Sequence, residues 1–303
     1  MQDLGMLTAV CEQNGAQIAP AEPMSAHTTF HIGGPCQALV TLPDAAACQA
    51  VIACLREKAI PFRMIGRGSN LLVPDAGYAG VVLKLGGKLA EPPSVQGNVL
   101  TCGAGTSLKN LCLAAQNAAL TGLEFAYGIP GTVGGAIYMN AGAYDGEIAG
   151  VLTSVTLLDE SGQIRTLPAE AAELRYRHSV FMERDWIILG AVFTLHPGDA
   201  AQIRETMHDL LSRRQTKQPL EYPSAGSTFK RPEGSYASLL IDQCGLKGYR
   251  VGGAQVSSKH AGFVVNRGGA TYADVMAVCA HVQETVKAQT GYMLELEPEI
   301  LDV

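Results

Sequence analysis

The segment GIPGTVGGAIYMNAGAYDGEI, from Gly128 to Ile148, holds six glycines in twenty-one residues and carries no charge before its closing DGE. Bare, neutral backbone at that density serves difficult turns and close packing, or else direct contact with a large anionic ligand. Glycine allows both, because without a Cβ the main chain can approach a ligand and turn its N–H groups toward it. A shorter stretch of the same character, GRGSN (Gly66 to Asn70), follows the apolar run FRMI. Two separate neutral loops suit the two halves of a pyrophosphate better than a single phosphate. The familiar nucleotide signatures are missing. There is no G-x-x-x-x-G-K-[ST], and the GxG at Gly103–Gly105 lacks the third glycine of a Rossmann turn. A dinucleotide bound here would sit on another fold.

The rest of the chain bounds the answer. Its 303 residues are enough for two domains, and 47% apolar with 17% charged residues suits a well-buried enzyme. A net charge of −6 gives no support to nucleic-acid binding or a polybasic membrane contact. The eight cysteines form no C-x-x-C pair or zinc-spaced cluster, so no metal site is expected. With no secretory start and no apolar run of membrane-spanning length, the expectation is a cytoplasmic protein with reduced thiols.

Residues 36–90 read as strand, helix, strand, loop, strand, the helix starting at Asp44 as N-cap. Residues 98–196 continue with NVLTCGAG, a helix from about Thr106 to Leu120 stopped by Gly122, the glycine segment, and the strands VLTSVTLLD, QIRTL and IILGAVFTL. Beyond Pro197-Gly198 come an amphipathic helix, a short helix near SYASLLIDQC, the segment HAGFVVN, and a long helix over about 271–289. That helix opens on Thr271-x-x-Asp274 and stacks Val275, Val278, Val282 and Val286 on one side. The pattern is α+β or α/β in two or three lobes.

The blocks HTTFHIGGPC, IGRGSNLLVPDAGYAGVV, GIPGTVGGAIYMNAGAY, YRHSVF, SAGSTFKRP, GLKGYRVGGAQVSSKHAGFVVN and LELEPEI run in order from about Thr28 to Ile300. Together they resemble the UDP-N-acetylenolpyruvoylglucosamine reductase (MurB) family of flavoenzymes, in the shorter of its two types. The resemblance implies an α+β protein. An FAD-binding domain of the vanillyl-alcohol-oxidase (PCMH) type would span residues 1–197, with subdomains at about 25–90 and 91–197. A smaller α+β substrate-binding domain would span 198–303, its last strand returning to the active site. FAD would be held by Arg67, Gly68, Ser69, Asn70, Gly131, Gly134, Gly135, Asn140 and Ala143, with backbone supplying most of the anion stabilisation.

The chemistry the resemblance implies is reduction of UDP-N-acetylglucosamine enolpyruvate to UDP-N-acetylmuramate for peptidoglycan precursor synthesis. NADPH reduces the flavin, and the flavin passes hydride to C3 of the enol ether. Negative charge then develops on C2 and its carboxylate and must be stabilised, and C2 needs a proton. Ser227, in AGS, matches the family's proton donor; alone it would read as a turn serine. Arg177, in YRHS, matches the enolate-stabilising arginine, a permanently charged bidentate group. Arg175, two residues away, would share its face on a strand, so the roles could be exchanged. Glu299 matches the catalytic glutamate, with Glu297 its rival: period-2 alternation puts Glu295, Glu297 and Glu299 on one face of LELEPEI.

Substrate contacts implied in the same way are Lys217, Lys230 and Arg231, with Tyr127, Gln255 and His260 on thinner grounds. Arg231-Pro232 stands where many relatives carry Asn-Pro. The alternatives are an FAD-dependent sugar or alcohol oxidase of the same fold, and a non-catalytic nucleotide-binding protein. An alcohol oxidase removes hydride from its substrate and has no use for a donor aimed at an enolate. Covalent flavin attachment through His27, His31 or Cys102 is open by residue type. A monomer is expected.

Overall fold

The helix expected after Asp44 forms: Asp44 Oδ1 accepts the Ala47 N–H at 3.0 Å, satisfying one of the donors a first turn leaves orphaned. It belongs to a computed structural model that describes residues 4–302. The chain divides into two compact units that are interleaved in sequence. The first takes the chain up to Pro20, Ala38–Gly66 and Val81–Arg213; the second takes Ala21–Gln37, Arg67–Gly80 and the chain from Arg214. The single boundary expected at 197/198 is therefore not where packing divides the chain. The last crossing falls after Arg213, inside a continuous helix.

In the first unit, α1 (Gly5–Gln13) and α2 (Ala45–Glu57) accompany a four-stranded sheet. Its strands are β1 (Gln17–Pro20), β2 (Cys36–Leu42), β3 (Phe62–Ile65) and β5 (Tyr78–Leu85), in the order β1-β2-β5-β3. Val51, Ile52 and Leu55 of α2 are fully buried with Val40, Leu42, Val81 and Leu83 of the sheet. A five-stranded antiparallel sheet follows, built from β6 (Ser94–Gln96), β7 (Val99–Gly103), β11 (Leu152–Leu158), β12 (Ile164–Pro168) and β13 (Ile187–Thr194), in the order β12-β11-β13-β7-β6. Leu100, Val155, Ala191 and Phe193 bury its core with Leu108 and Leu111 of α3 (Leu108–Asn117).

Helix α3 is shorter than the 106–120 expected. Thr106 is buried with its hydroxyl committed to the Glu91 carbonyl at 2.7 Å, so Ser107 becomes the cap. At the other end the chain turns through left-handed Ala119 (φ 54°). That frees β8 (Leu120–Thr121) to pair with β14 (His196–Pro197). The glycine-rich segment also has more structure than a loop. Thr132 caps a short helix, α4 (Val133–Tyr138), and a hairpin of β9 (Gly142–Ala143) and β10 (Gly146–Glu147) follows.

In the second unit, α5 (Ala200–Lys217), which begins in the first, leads to α6 (Ala237–Gln243) and a three-stranded sheet of β15 (Arg250–Val251), β16 (Ala254–Val256) and β17 (Val264–Asn266). Helix α7 (Tyr272–Thr290) carries the expected capping box of Thr271 and Asp274 and ends at left-handed Gly291. All four of its stacked valines are buried. Removing each from water contributes about 1.5–3 kcal/mol. The last strand, β18 (Glu299–Ile300), runs parallel to β4 (Leu71–Leu72). Among the described residues no helix is long and apolar enough to cross a membrane.

Candidate active site

The expected site residues fall into two groups, one in each unit. In the first unit the glycine segment packs on the β7–α3 connection. Leu108 N–H donates to the Gly131 carbonyl at 3.0 Å, and Val133 and Gly134 N–H donate to Thr106 and Ala104 carbonyls at 2.9 and 2.8 Å. Gly131 N–H bonds Ile129 O at 3.0 Å, and Gly135 N–H reaches the Thr132 hydroxyl at 3.3 Å. The amides expected to cradle a phosphate here are thus already engaged. What this segment offers a ligand is smooth surface without side chains, exposed at Gly135. Gly66 meets it: a Cβ there would lie 2.4 Å from Thr132 Oγ1.

The remainder of GRGSN belongs to the second unit and behaves oppositely. Among the described residues, the backbone N–H groups of Arg67, Gly68 and Ser69 have no hydrogen-bond partner. Gly68 is left-handed (φ 63°), and a Cβ on it would sit 2.1 Å from the His27 carbonyl oxygen. Successive free amides around a left-handed residue make an anion nest, and exposed Arg67 adds a cation. These residues fit a dinucleotide pyrophosphate.

Arg177 lies in the first unit, in a tight turn and not on a strand. Arg175 and His178 exchange backbone hydrogen bonds at 3.1 Å in both directions, and Arg177 between them is left-handed (φ 52°). A non-glycine residue held there costs about 1–2 kcal/mol, and such strain collects at functional positions. The turn also breaks the alternation that made Arg175 equivalent. The Arg175 guanidinium lies on the surface against Glu173 and His178, while half-buried Arg177 reaches over the Tyr176 ring at 5.2 Å. Asn140 is buried with its side chain engaged by protein on three sides. Ala143 lies in the hairpin opposite Gly146, and Tyr127 packs partly against the core.

Ser227 and Glu299 lie in the second unit on neighbouring segments. Buried Thr228 donates its N–H to the Gly262 carbonyl at 2.8 Å and accepts Val264 N–H on its hydroxyl at 2.8 Å. Its carbonyl takes the Glu297 N–H at 3.0 Å. Ser227, next to this anchor, is partly buried, and its hydroxyl bonds no other described residue. LELEPEI is not one regular strand. Lys230 N–H bonds the Glu295 carbonyl at 2.9 Å, but after Pro298 the chain changes partner and Glu299 N–H bonds Asn70 O at 2.9 Å. Glu295 is exposed and pairs with Lys230 at 3.4 Å, Glu297 is half-buried, and Glu299 is exposed. Alternation alone had grouped the three carboxylates; the change of neighbour separates them.

Other expected contacts scatter. Lys217 is exposed at the end of α5, Arg231 stacks over Tyr236 at 4.0 Å, and Gln255 spends its amide on Gly248 O at 3.0 Å. His260 accepts Gly262 N–H on Nδ1 at 3.2 Å, and burial lowers its pKa. For covalent attachment, Cys102 is a poor candidate: it is buried, with its thiol pushed up to about 12 by desolvation. Thr228 and Ser179 support the site unannounced by the sequence. Their only signal is a hydroxyl within two residues of a candidate residue.

A family model described as an FAD binding domain matches residues 36–168. With the amide nest and the smooth glycine surface, this defines the class: a flavoprotein on an α+β fold. A second model, the C-terminal domain of UDP-N-acetylenolpyruvoylglucosamine reductase, matches residues 218–301. The chain is 47% identical over 288 residues to the UDP-N-acetylenolpyruvoylglucosamine reductase of Clostridium perfringens, covering 95% of this chain and 94% of that one. It is 45% identical to the Pediococcus pentosaceus protein of the same name, covering 94% of each. The crystal structure of the reductase from Thermus caldophilus superposes with a TM-score of 0.80 at 34% identity, over 94% of this chain and 98% of that one. The chain belongs to the UDP-N-acetylenolpyruvoylglucosamine reductase family.

Proposed function

We propose that the protein is the NADPH-dependent flavoenzyme that reduces UDP-N-acetylglucosamine enolpyruvate to UDP-N-acetylmuramate. The observation that carries this reading is the pair of features in which a family member needs both cofactor and proton chemistry. An unspent amide nest stands at residues 67–69, and an unspent hydroxyl stands at Ser227 beside the anchored Thr228. Bound FAD would supply the two-electron chemistry, taking hydride from NADPH and giving it to the enol ether.

The chain's own residues do the rest. Arg67, Gly68 and Ser69 N–H groups hold the pyrophosphate, with the Arg67 cation nearby. Gly131, Gly134 and Gly135 contribute a surface against which the cofactor can lie. Arg177 opposes the negative charge that develops on the enolpyruvyl carboxylate, and its guanidinium stays protonated at any working pH. Ser227 delivers its proton to C2; a hydroxyl is a weak acid, but an enolate carbon is basic enough to take it. Glu299 assists that transfer, with Glu297 as rival. Lys217, Lys230 and Arg231 are candidates for the substrate phosphates. The eight free thiols suit a reducing cytoplasm, and we take the working form to be a monomer.

Anaerobic absorbance spectroscopy tests this. NADPH should bleach a bound flavin band, and UDP-N-acetylglucosamine enolpyruvate should restore it without oxygen. A band that returns only when air enters would overturn the substrate and favour an oxidase. Absence of flavin after reconstitution with FAD would overturn the reading altogether.

A further inference from the structure

Asn140, expected on the cofactor, spends its side chain elsewhere. It is 1% exposed and left-handed (φ 41°), just past the end of α4. Its Nδ2 donates to the Arg175 carbonyl and to Glu147 Oε2, each at 3.1 Å, and its Oδ1 accepts the Ala149 N–H at 3.0 Å. One buried amide thus joins three stretches of chain: the end of α4, the strand after the hairpin tip, and the Arg177 turn. A second tie lies on the other side of that turn. Ser179, fully buried, donates its hydroxyl to the Tyr138 carbonyl at 2.7 Å.

Both ties end on Tyr138, the last residue of α4, or on Asn140 two residues beyond it, and between them sits Arg177 in a conformation that local preference disfavours. A four-residue turn with a left-handed arginine needs outside anchors to persist. These are its two buried side-chain anchors among the hydrogen bonds described above. We infer that Asn140 and Ser179 are positioning residues that aim the Arg177 guanidinium. The inference rests on the reading of Arg177 as the group that stabilises the developing enolate. It also gives the glycine-rich segment a second role. The cofactor surface at Gly135 and the arginine turn share one short helix, so the place of one fixes the place of the other.

Asn140→Asp tests it with almost no change in shape. The Oδ1 acceptor remains, but the donating NH2 becomes an oxygen facing the Arg175 carbonyl and the Glu147 carboxylate, and both contacts turn repulsive. Flavin content and the rate of flavin bleaching by NADPH should stay within about twofold. Reoxidation by the enol ether should slow at least about tenfold, in kcat more than in KM. Ser179→Ala should slow the same step several-fold, and Ser179→Thr, which keeps the hydroxyl, should recover it. In an Arg177→Ala background Asn140→Asp should add no further loss, because there is no guanidinium left to aim.

Loss of flavin from Asn140→Asp would return the residue to the cofactor and overturn the inference. So would full additivity of the two substitutions. Unchanged reoxidation in Arg177→Ala alone would show instead that the reading of Arg177 had failed. If Asn140→Asp does not fold, the contrast between Ser179→Ala and Ser179→Thr decides, and equal rates for the two would sink the proposal.

Discussion

Asn70 holds Glu299 in place: its carbonyl accepts the Glu299 N–H at 2.9 Å, and its side-chain amide donates to the Glu297 carbonyl at 3.2 Å. One residue of the GRGSN loop therefore brackets Pro298, where the final segment changes partner. Replacing Asn70 with Ala removes the amide link and leaves the backbone link. The net loss is about 1 kcal/mol. Turnover should fall about threefold to tenfold while NADPH still bleaches the flavin, which stopped-flow absorbance of the two half-reactions will separate.

Gly68→Ala should be far more damaging than its size suggests. The position is left-handed, and the new methyl would sit 2.1 Å from the rigid backbone oxygen of His27. The conformation alone costs about 1–2 kcal/mol, and the clash must also shift main chain at the amide nest. The expected outcome is protein that melts lower and purifies with little flavin. Gly150→Ala is the control, since nothing lies within 4 Å of its Cβ position.

Acid should destabilise the fold through particular carboxylates. Asp159 is held below the usual carboxylate range by the Ser161 hydroxyl and Gln163 N–H, Asp274 by the Gly253 and Thr271 N–H groups, and Asp44 by Ala47 N–H. A pKa lower in the folded chain than in the unfolded one means stability present above about pH 4 and lost as pH falls further. Melting temperature should be flat down to about pH 5 and then drop. Asp274→Asn should melt lower than the parent at pH 7, and the gap should close toward pH 3.

Thiol chemistry should distinguish one cysteine from the rest. Seven are buried and Cys244 is intermediate. Desolvation raises Cys48 and Cys279 to about 12 and Cys11 to about 11, so their thiolates are scarce at working pH. Titration with a chromogenic disulfide at pH 8 should show a single fast thiol in folded protein, absent in Cys244→Ser, and all eight after denaturation.

Much of this was legible beforehand. Asp44, Thr271 and Asp274 announce helix starts because capping is a local interaction, and the four valines of α7 follow the period of the helix. The family blocks carried the fold, the cofactor and the reaction. Sequence could not show which amides were spent. The Gly131, Val133, Gly134 and Gly135 donors are engaged by Ile129, Thr106, Ala104 and Thr132, and the nest at residues 67–69 is open; both stretches look alike as strings of glycine. Nor could alternation foresee the tight turn at Arg177 or the change of partner at Pro298, because both depend on neighbours distant in the chain.

The interleaving of the two units has a consequence during synthesis. Every residue of the first unit has been made once Arg213 is joined, whereas the second needs residues 21–37 and 67–80 to wait for everything beyond it. The strand that bonds Asn70, Glu299–Ile300, is translated long after it. A nascent chain can therefore complete helix α4 and the Arg177 turn before Glu299 has been translated. A chain that stopped after Arg213 would carry every described residue of the first unit and lack both Ser227 and Glu299.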